Sequence, residues 1–191
     1  IDPERGPSAT SVIDPPKLDT SAPLVFHPTV GQAGLYFLWK QNPQGTEYSI
    51  PSYQSHESWD KESVGAAVRA AVAKHGMLRS VFLESKELLC MVFPASTMMA
   101  RALAGSEQDG FSPEVQWMAF RGQVWDLTQT CATYQVLGEA RGAGYMQNTH
   151  HVISDEWSGA VLAREIADAS QGGKVSDSPT STAFSVFAEW E

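Results

Sequence analysis

Thr149-His150-His151-Val152-Ile153-Ser154-Asp155-Glu156-Trp157-Ser158 holds the densest set of groups able to move a proton in this chain. An imidazole titrates close to neutral pH and can hold one proton while accepting another, which suits a general base or a group that orients a nucleophile. Neighbouring residues on a strand point to opposite faces. His150 and His151 therefore cannot easily act on one atom: one faces a site, and the other packs or hydrogen-bonds within the fold. The same geometry disfavours a metal held by the pair. Zinc hydrolases set two histidines one helical turn apart, and neither this segment nor His27, His56 and His75 shows such spacing. Asp155 can cap a following helix or pair with an arginine, and both roles are structural.

The elements around this segment must place it. Gly142 and Gly144 mark a turn, and 144–150 reads as a strand running into the histidines. Asp155 or Ser158 starts the next helix, which carries Val161, Leu162 and Ile166 and ends at Gly172-Gly173. Asp60 to His75 is the clearest helix, with Asp60 as cap and Val64, Ala67, Val68, Ala71 and Val72 at helical spacing. Gly76 follows as its expected left-handed terminator. Residues 80–83 and 88–93 read as strands joined by a turn over 84–87, and 47–55 has strand character. The apolar run 35–39 fits a buried helix or a strand equally. Residues 117–120 and 132–137 read as strands, 98–103 as a short helix, 105–113 as a loop, and Phe184, Phe187 and Trp190 as the face of a last helix. Interleaved strands and helices give an α/β chain, and a single layered sheet is the simplest arrangement.

The 191 residues are ample for one hydrophobic core and short for two full domains. Residues 1–28 have linker composition, with prolines at 3, 7, 15, 16, 23 and 28, and are expected to be extended unless they dock on the body. A net charge of −9 argues against nucleic-acid binding, which needs a basic face. No apolar run approaches the ~20 residues of a membrane helix. Two distant cysteines, Cys90 and Cys131, read as buried thiols of a reducing, cytoplasmic setting.

Three segments resemble the condensation domain of nonribosomal peptide synthetases, in order and at similar spacing. They are Gln32-Ala33-Gly34-Leu35-Tyr36-Phe37-Leu38 with Tyr48-Ser49-Ile50-Pro51, then Val72 to Phe82, then His150 to Ser158. Trp125-Asp126-Leu127 and Phe187-Ala188-Glu189-Trp190 add support. The resemblance covers about residues 29–191, the amino-terminal lobe of that domain, with the second lobe absent. It implies a chloramphenicol-acetyltransferase-like lobe, a mixed sheet with flanking helices. It also implies acyl transfer from a carrier-protein thioester to an amine or hydroxyl acceptor, inside a multidomain synthase such as a fungal highly reducing polyketide synthase or a polyketide–peptide hybrid. The partners it implies are an acyl or peptidyl carrier protein and the other domains of the synthase. No cofactor is bound directly, because the substrates ride on the carrier's phosphopantetheine. The implied site residues are His151, His150 and Asp155. His151 projects toward the substrates, and Asp155 pairs with Arg79 to hold the loop.

The chain departs from the family pattern at Glu156, where the family has glycine beside the site. It also departs at Gly34 and Gly76, which replace an arginine and a glutamate, and at Thr130-Cys131-Ala132. An isolated lobe is expected to be weak or inactive. Two other readings stay open: a trimeric chloramphenicol-acetyltransferase-like enzyme, and a degenerate docking module of the synthase. Lys61, Arg69 and Lys74 are candidate carrier contacts on one helix, though a solvated face explains them as well.

Overall fold

A computed structural model describes residues 22–95, 113–138, 141–173, 175 and 188. Six strands form two antiparallel sheets of three. β1 (Leu24–Phe26), β4 (Leu88–Val92) and β3 (Ser80–Glu84) lie in that order in one sheet. β2 (Ser49–His56), β6 (Ala143–His150) and β5 (Ala132–Gly138) lie in that order in the other. Strand and helix order suggested a single layered sheet; the described strands pair antiparallel in two separate sheets, within the α/β lobe with flanking helices that the resemblance implied. Strand propensity is local, and which strands share a ladder is not.

Among the described residues four α-helices flank the sheets: α1 (Val30–Gln41), α2 (Lys61–Lys74), α3 (Pro113–Arg121) and α4 (Glu156–Ser170). The open reading of 35–39 resolves to helix. Thr29 caps α1 by accepting from the Gln32 N–H, and the Gln32 side chain accepts from the Thr29 N–H in return, a closed capping box. Gly34 in α1 is exposed, and a Cβ there would meet nothing within 4 Å. Gly34→Ala is therefore expected to raise unfolding stability by about 1 kcal/mol, read as a higher denaturant midpoint at unchanged slope.

Asp60 caps α2 through the Ser63 N–H, as its sequence position implied. Gly76 does not terminate α2 in the left-handed region. The helix ends at His75, and Gly76–Arg79 forms a 3₁₀ turn in which Gly76 is buried. Among described residues only Gly142 and Gly172 have positive φ, at 84° and 90°. Residues 117–120 belong to α3 and not to a strand. Trp117 and Phe120 lie three apart on one helical face and pack on Leu137 and Met146, so the short apolar run carried helical as well as strand periodicity. The region 1–28 contains β1, which docks on β4 and buries Phe26, so the body starts before residue 29. The expectations for 98–103, 105–112 and the last helix lie outside the described residues, apart from Ala188, which is buried in the core.

β6 is buried along its whole length because both of its faces are covered. On one face Val64, Val68, Val72, Leu162 and Ile166 of α2 and α4 pack on Tyr134 and Tyr145. On the other, α3 covers Met146. Gly144 lets β2 approach closely, since a Cβ there would lie 2.6 Å from the Gln54 carbonyl oxygen. The first sheet packs Phe82, Cys90 and Val92 against Tyr36 of α1 and against Trp125, Leu127 and Val152. Both cysteines are free thiols in this cluster, and burial pushes Cys90 up to about 12 and Cys131 up as well. No described helix is long and apolar enough to cross a membrane.

Candidate active site

β6 delivers the two histidines at the point where it leaves the sheet. The His150 N–H donates to the Cys131 carbonyl of β5's approach at 2.9 Å, and the His151 N–H donates to the Tyr48 carbonyl beside β2 at 2.8 Å. A tight turn follows, in which the Ile153 N–H donates to the His150 carbonyl at 3.0 Å. The two rings take opposite environments: β6 ends with the buried His150, and the exposed His151 opens the turn.

His150 is 2% exposed, between the rings of Tyr48 and Trp125 with centroids 6.0 Å away in each case. Its Nδ1 accepts the Val152 N–H at 3.0 Å, which fixes the neutral tautomer with hydrogen on Nε2. Burial, reinforced by the neighbouring His151, lowers its pKa from 6.5 to about 4. His150 is thus a neutral internal cap for the loop. It also lines a surface cavity of about 260 Å³ with Leu38, Trp39, Asn42, Glu47 and Tyr48.

The side chain of His151 is exposed. The backbone on both sides of it is held, by Tyr48 before and by His150 after. The loop is tied once more from a distance: Gln32 Nε2 donates to the Val152 carbonyl oxygen at 2.9 Å, a buried contact between residues 120 apart in sequence. Beyond the turn lies a second cavity of about 280 Å³, lined by His75, Met77, Leu78, Ile153, Ser154 and Trp157 among others. Trp157 is 80% exposed beside it.

Asp155 caps α4. Its Oδ1 accepts the Ser158 N–H at 2.7 Å and the Ser158 hydroxyl at 2.6 Å, and these bonds hold the carboxyl below the usual carboxylate range. The expected Asp155–Arg79 pair is not formed. Arg79 is 7% exposed and donates from Nη1 to the Phe93 carbonyl at 3.3 Å, while its buried Nε has no hydrogen-bond partner among the described residues. Burial lowers its pKa. A serine three residues on satisfies the carboxylate locally, and local bonds form without the entropy of closing a long loop. Glu156 is the first residue of α4, exposed and without positive φ. The backbone there does not require the glycine of the family pattern. Glu156 also sits where the helix dipole favours an acid. Lys74 is bound to Glu165 of α4 together with His75, so it is not a free contact for a partner. Among the described residues no group of three or more His, Cys, Asp or Glu is placed to hold a metal ion.

Three residues at the site escaped the reading of single residues. Tyr48 and Cys131 act through backbone carbonyls, which side-chain chemistry does not reveal. Gln32 left one trace, the Thr-x-x-Gln spacing of a capping box, and that spacing does not indicate the contact with Val152.

Comparison with known proteins adds to this geometry. The family model for the condensation domain matches residues 27–191. Tyrocidine synthase 3 of Brevibacillus parabrevis is 30% identical over 176 residues, which is 88% of this chain and 3% of that protein. Among solved structures, the starter condensation domain of rhizomide synthetase superposes with a TM-score of 0.69 at 18% identity, over 87% of this chain and 45% of that one. A structure described as the basis for condensation domain-mediated chain release from the enacyloxin polyketide synthase superposes with a TM-score of 0.66 at 19% identity, over 86% of this chain and 35% of that one. This chain spans less than half of each of these relatives. The fold, the ordered motifs and a match over most of the sequence agree, and the chain belongs to the condensation domain family.

Proposed function

We propose that this chain supplies the histidine-bearing half of a condensation-type acyl-transfer site. The donor is an acyl thioester on the phosphopantetheine of a carrier protein, and the acceptor is an amine or a hydroxyl. The observation that carries the reading is the exposed His151 imidazole on a backbone fixed from both sides, next to a buried neutral His150. In the reaction the acceptor nitrogen or oxygen attacks the thioester carbonyl. The new C–N or C–O bond forms, the C–S bond breaks, and the thiol leaves. The acceptor's proton passes to the His151 imidazole and from there to the departing sulfur. Fixing an imidazole within hydrogen-bond reach of the attacking atom contributes both orientation and proton transfer.

Asp155 and Arg79 serve as scaffold in this reading, Asp155 by starting α4 and Arg79 by closing the end of β4. The acceptor class stays broad because the relatives include a starter domain and a polyketide chain-releasing domain. The test is acyl transfer by the protein at its full natural length, given its carrier-bound thioester. Turnover that depends on His151 supports the reading. Turnover that ignores His151 sinks it.

A further inference from the structure

We infer that Gln32 is a positioning residue for His151, which it serves by locking the loop from α1; this rests on the reading of His151 just given. The Gln32 side chain is 6% exposed, and both ends of its amide are used. Oε1 accepts the Thr29 N–H at 3.1 Å, and Nε2 donates to the Val152 carbonyl at 2.9 Å. The first bond fixes which way the amide faces and so aims the second at the loop.

Val152 is itself 2% exposed. Its N–H goes to His150 Nδ1 and its carbonyl to Gln32. Both polar groups of the residue after His151 are thereby consumed, and neither peptide can rotate without leaving a buried group unpaired. The His151 N–H is held by Tyr48, which pins the other side. His151 therefore has a free ring on a fixed Cα. Without Gln32, the hydrogen bonds left to residues 151–153 among the described residues are those to Tyr48 and His150.

The experiment separates positioning from helix capping. In the protein at its full natural length, Gln32→Ala, Gln32→Glu, Thr29→Ala and His151→Ala are compared for acyl transfer from the carrier-bound thioester, for thermal unfolding and for the His151 ring signals in nuclear magnetic resonance. Thr29→Ala removes the Thr29 hydroxyl that caps α1 and leaves the Gln32 contact with Val152. It is expected to lower the melting temperature with kcat and the His151 signals unchanged. Gln32→Ala is expected to move and broaden the His151 signals and to lower kcat about tenfold, with KM within about twofold. Gln32→Glu keeps the acceptor for Thr29 but turns a carboxylate toward the Val152 carbonyl. Its rate relative to wild type is expected to rise as pH falls, since only the protonated acid can donate there. Gln32→Ala that merely copies Thr29→Ala overturns the inference. So does a pH-independent ratio for Gln32→Glu. If His151→Ala keeps full turnover, the functional reading fails first, and the inference fails with it.

Discussion

His151→Ala is expected to lower kcat for acyl transfer by about 10²–10⁴-fold, the usual worth of a positioned proton-transfer group. That corresponds to roughly 3–5 kcal/mol of transition-state stabilisation. KM is expected to change little, because the ring meets the acceptor's developing charge and not the body of either substrate. Stability is expected to stay within about 0.5 kcal/mol, since the side chain is exposed and both the His151 N–H bond to the Tyr48 carbonyl and the Val152 N–H bond to His150 Nδ1 survive the substitution. The measurement is a pair, turnover and denaturant midpoint on the same preparation. A variant that loses rate and stability together would show that the ring supports the loop. A variant that loses neither would remove His151 from the mechanism. His151→Gln refines the result, because it keeps a hydrogen-bonding side chain that cannot take up a proton. A rate near wild type for that variant assigns His151 to orientation alone.

His150 makes the second prediction, and here the effect is on stability. Its folded pKa is about 4 against an ordinary 6.5, mainly because burial penalises the charged ring. Above pH 6.5 the ring is neutral in both the folded and unfolded states and contributes no pH dependence. Between 6.5 and 4 the unfolded chain binds a proton that the folded chain refuses, so stability falls as the pH drops through this window. The loss levels off below 4, at about 3 kcal/mol. Protonation would also turn Nδ1 into a donor facing the Val152 N–H donor, so the loop itself resists the charge. Asparagine at 150 places an acceptor oxygen near the position of Nδ1 and does not titrate. Denaturant midpoints for wild type and His150→Asn are expected to diverge from pH 4 to 6.5, with the slope flatter in the variant. Parallel curves would show that His150 charges freely in the fold. Asp60 and Asp155 carry lowered pKa values and add their own acid dependence, but they are common to both proteins and cancel in the difference.

His150 and His151 are adjacent residues with opposite fates, and the local sequence already pointed to their parting. Alternation along a strand separates neighbouring side chains, so His-His at a strand end reads as one ring to each side; here the strand ends at His150 and the turn carries His151 outward. The same local logic placed β2, β3, β4, β5 and β6 and α2 with its Asp60 cap, and it allowed Asp155 as the cap of α4. Each is decided within a few residues by alternation, helical spacing or a capping oxygen. The ordered motifs made the family legible for the same reason, since each is a short stretch read without knowing its neighbours.

What the tertiary structure decided is everything that joins distant segments. The run from Trp117 to Phe120 suited strand and helix, and the bed offered by Leu137 and Met146 chose the helix. The six described strands could have formed one sheet, but pairing depends on contacts far apart in sequence, and they formed two. Arg79 and Asp155 carry opposite charges in motifs that suggested a pair. Asp155 instead found Ser158 three residues away, and Arg79 found the Phe93 carbonyl. Gln32 stood in the sequence only as the start of a motif, and folding brought its amide N–H to the Val152 carbonyl, 120 residues on. The sequence determined which groups could do chemistry here and that His150 and His151 would part company. The fold determined which of them are held still, because immobilising a loop takes partners that no local pattern can specify.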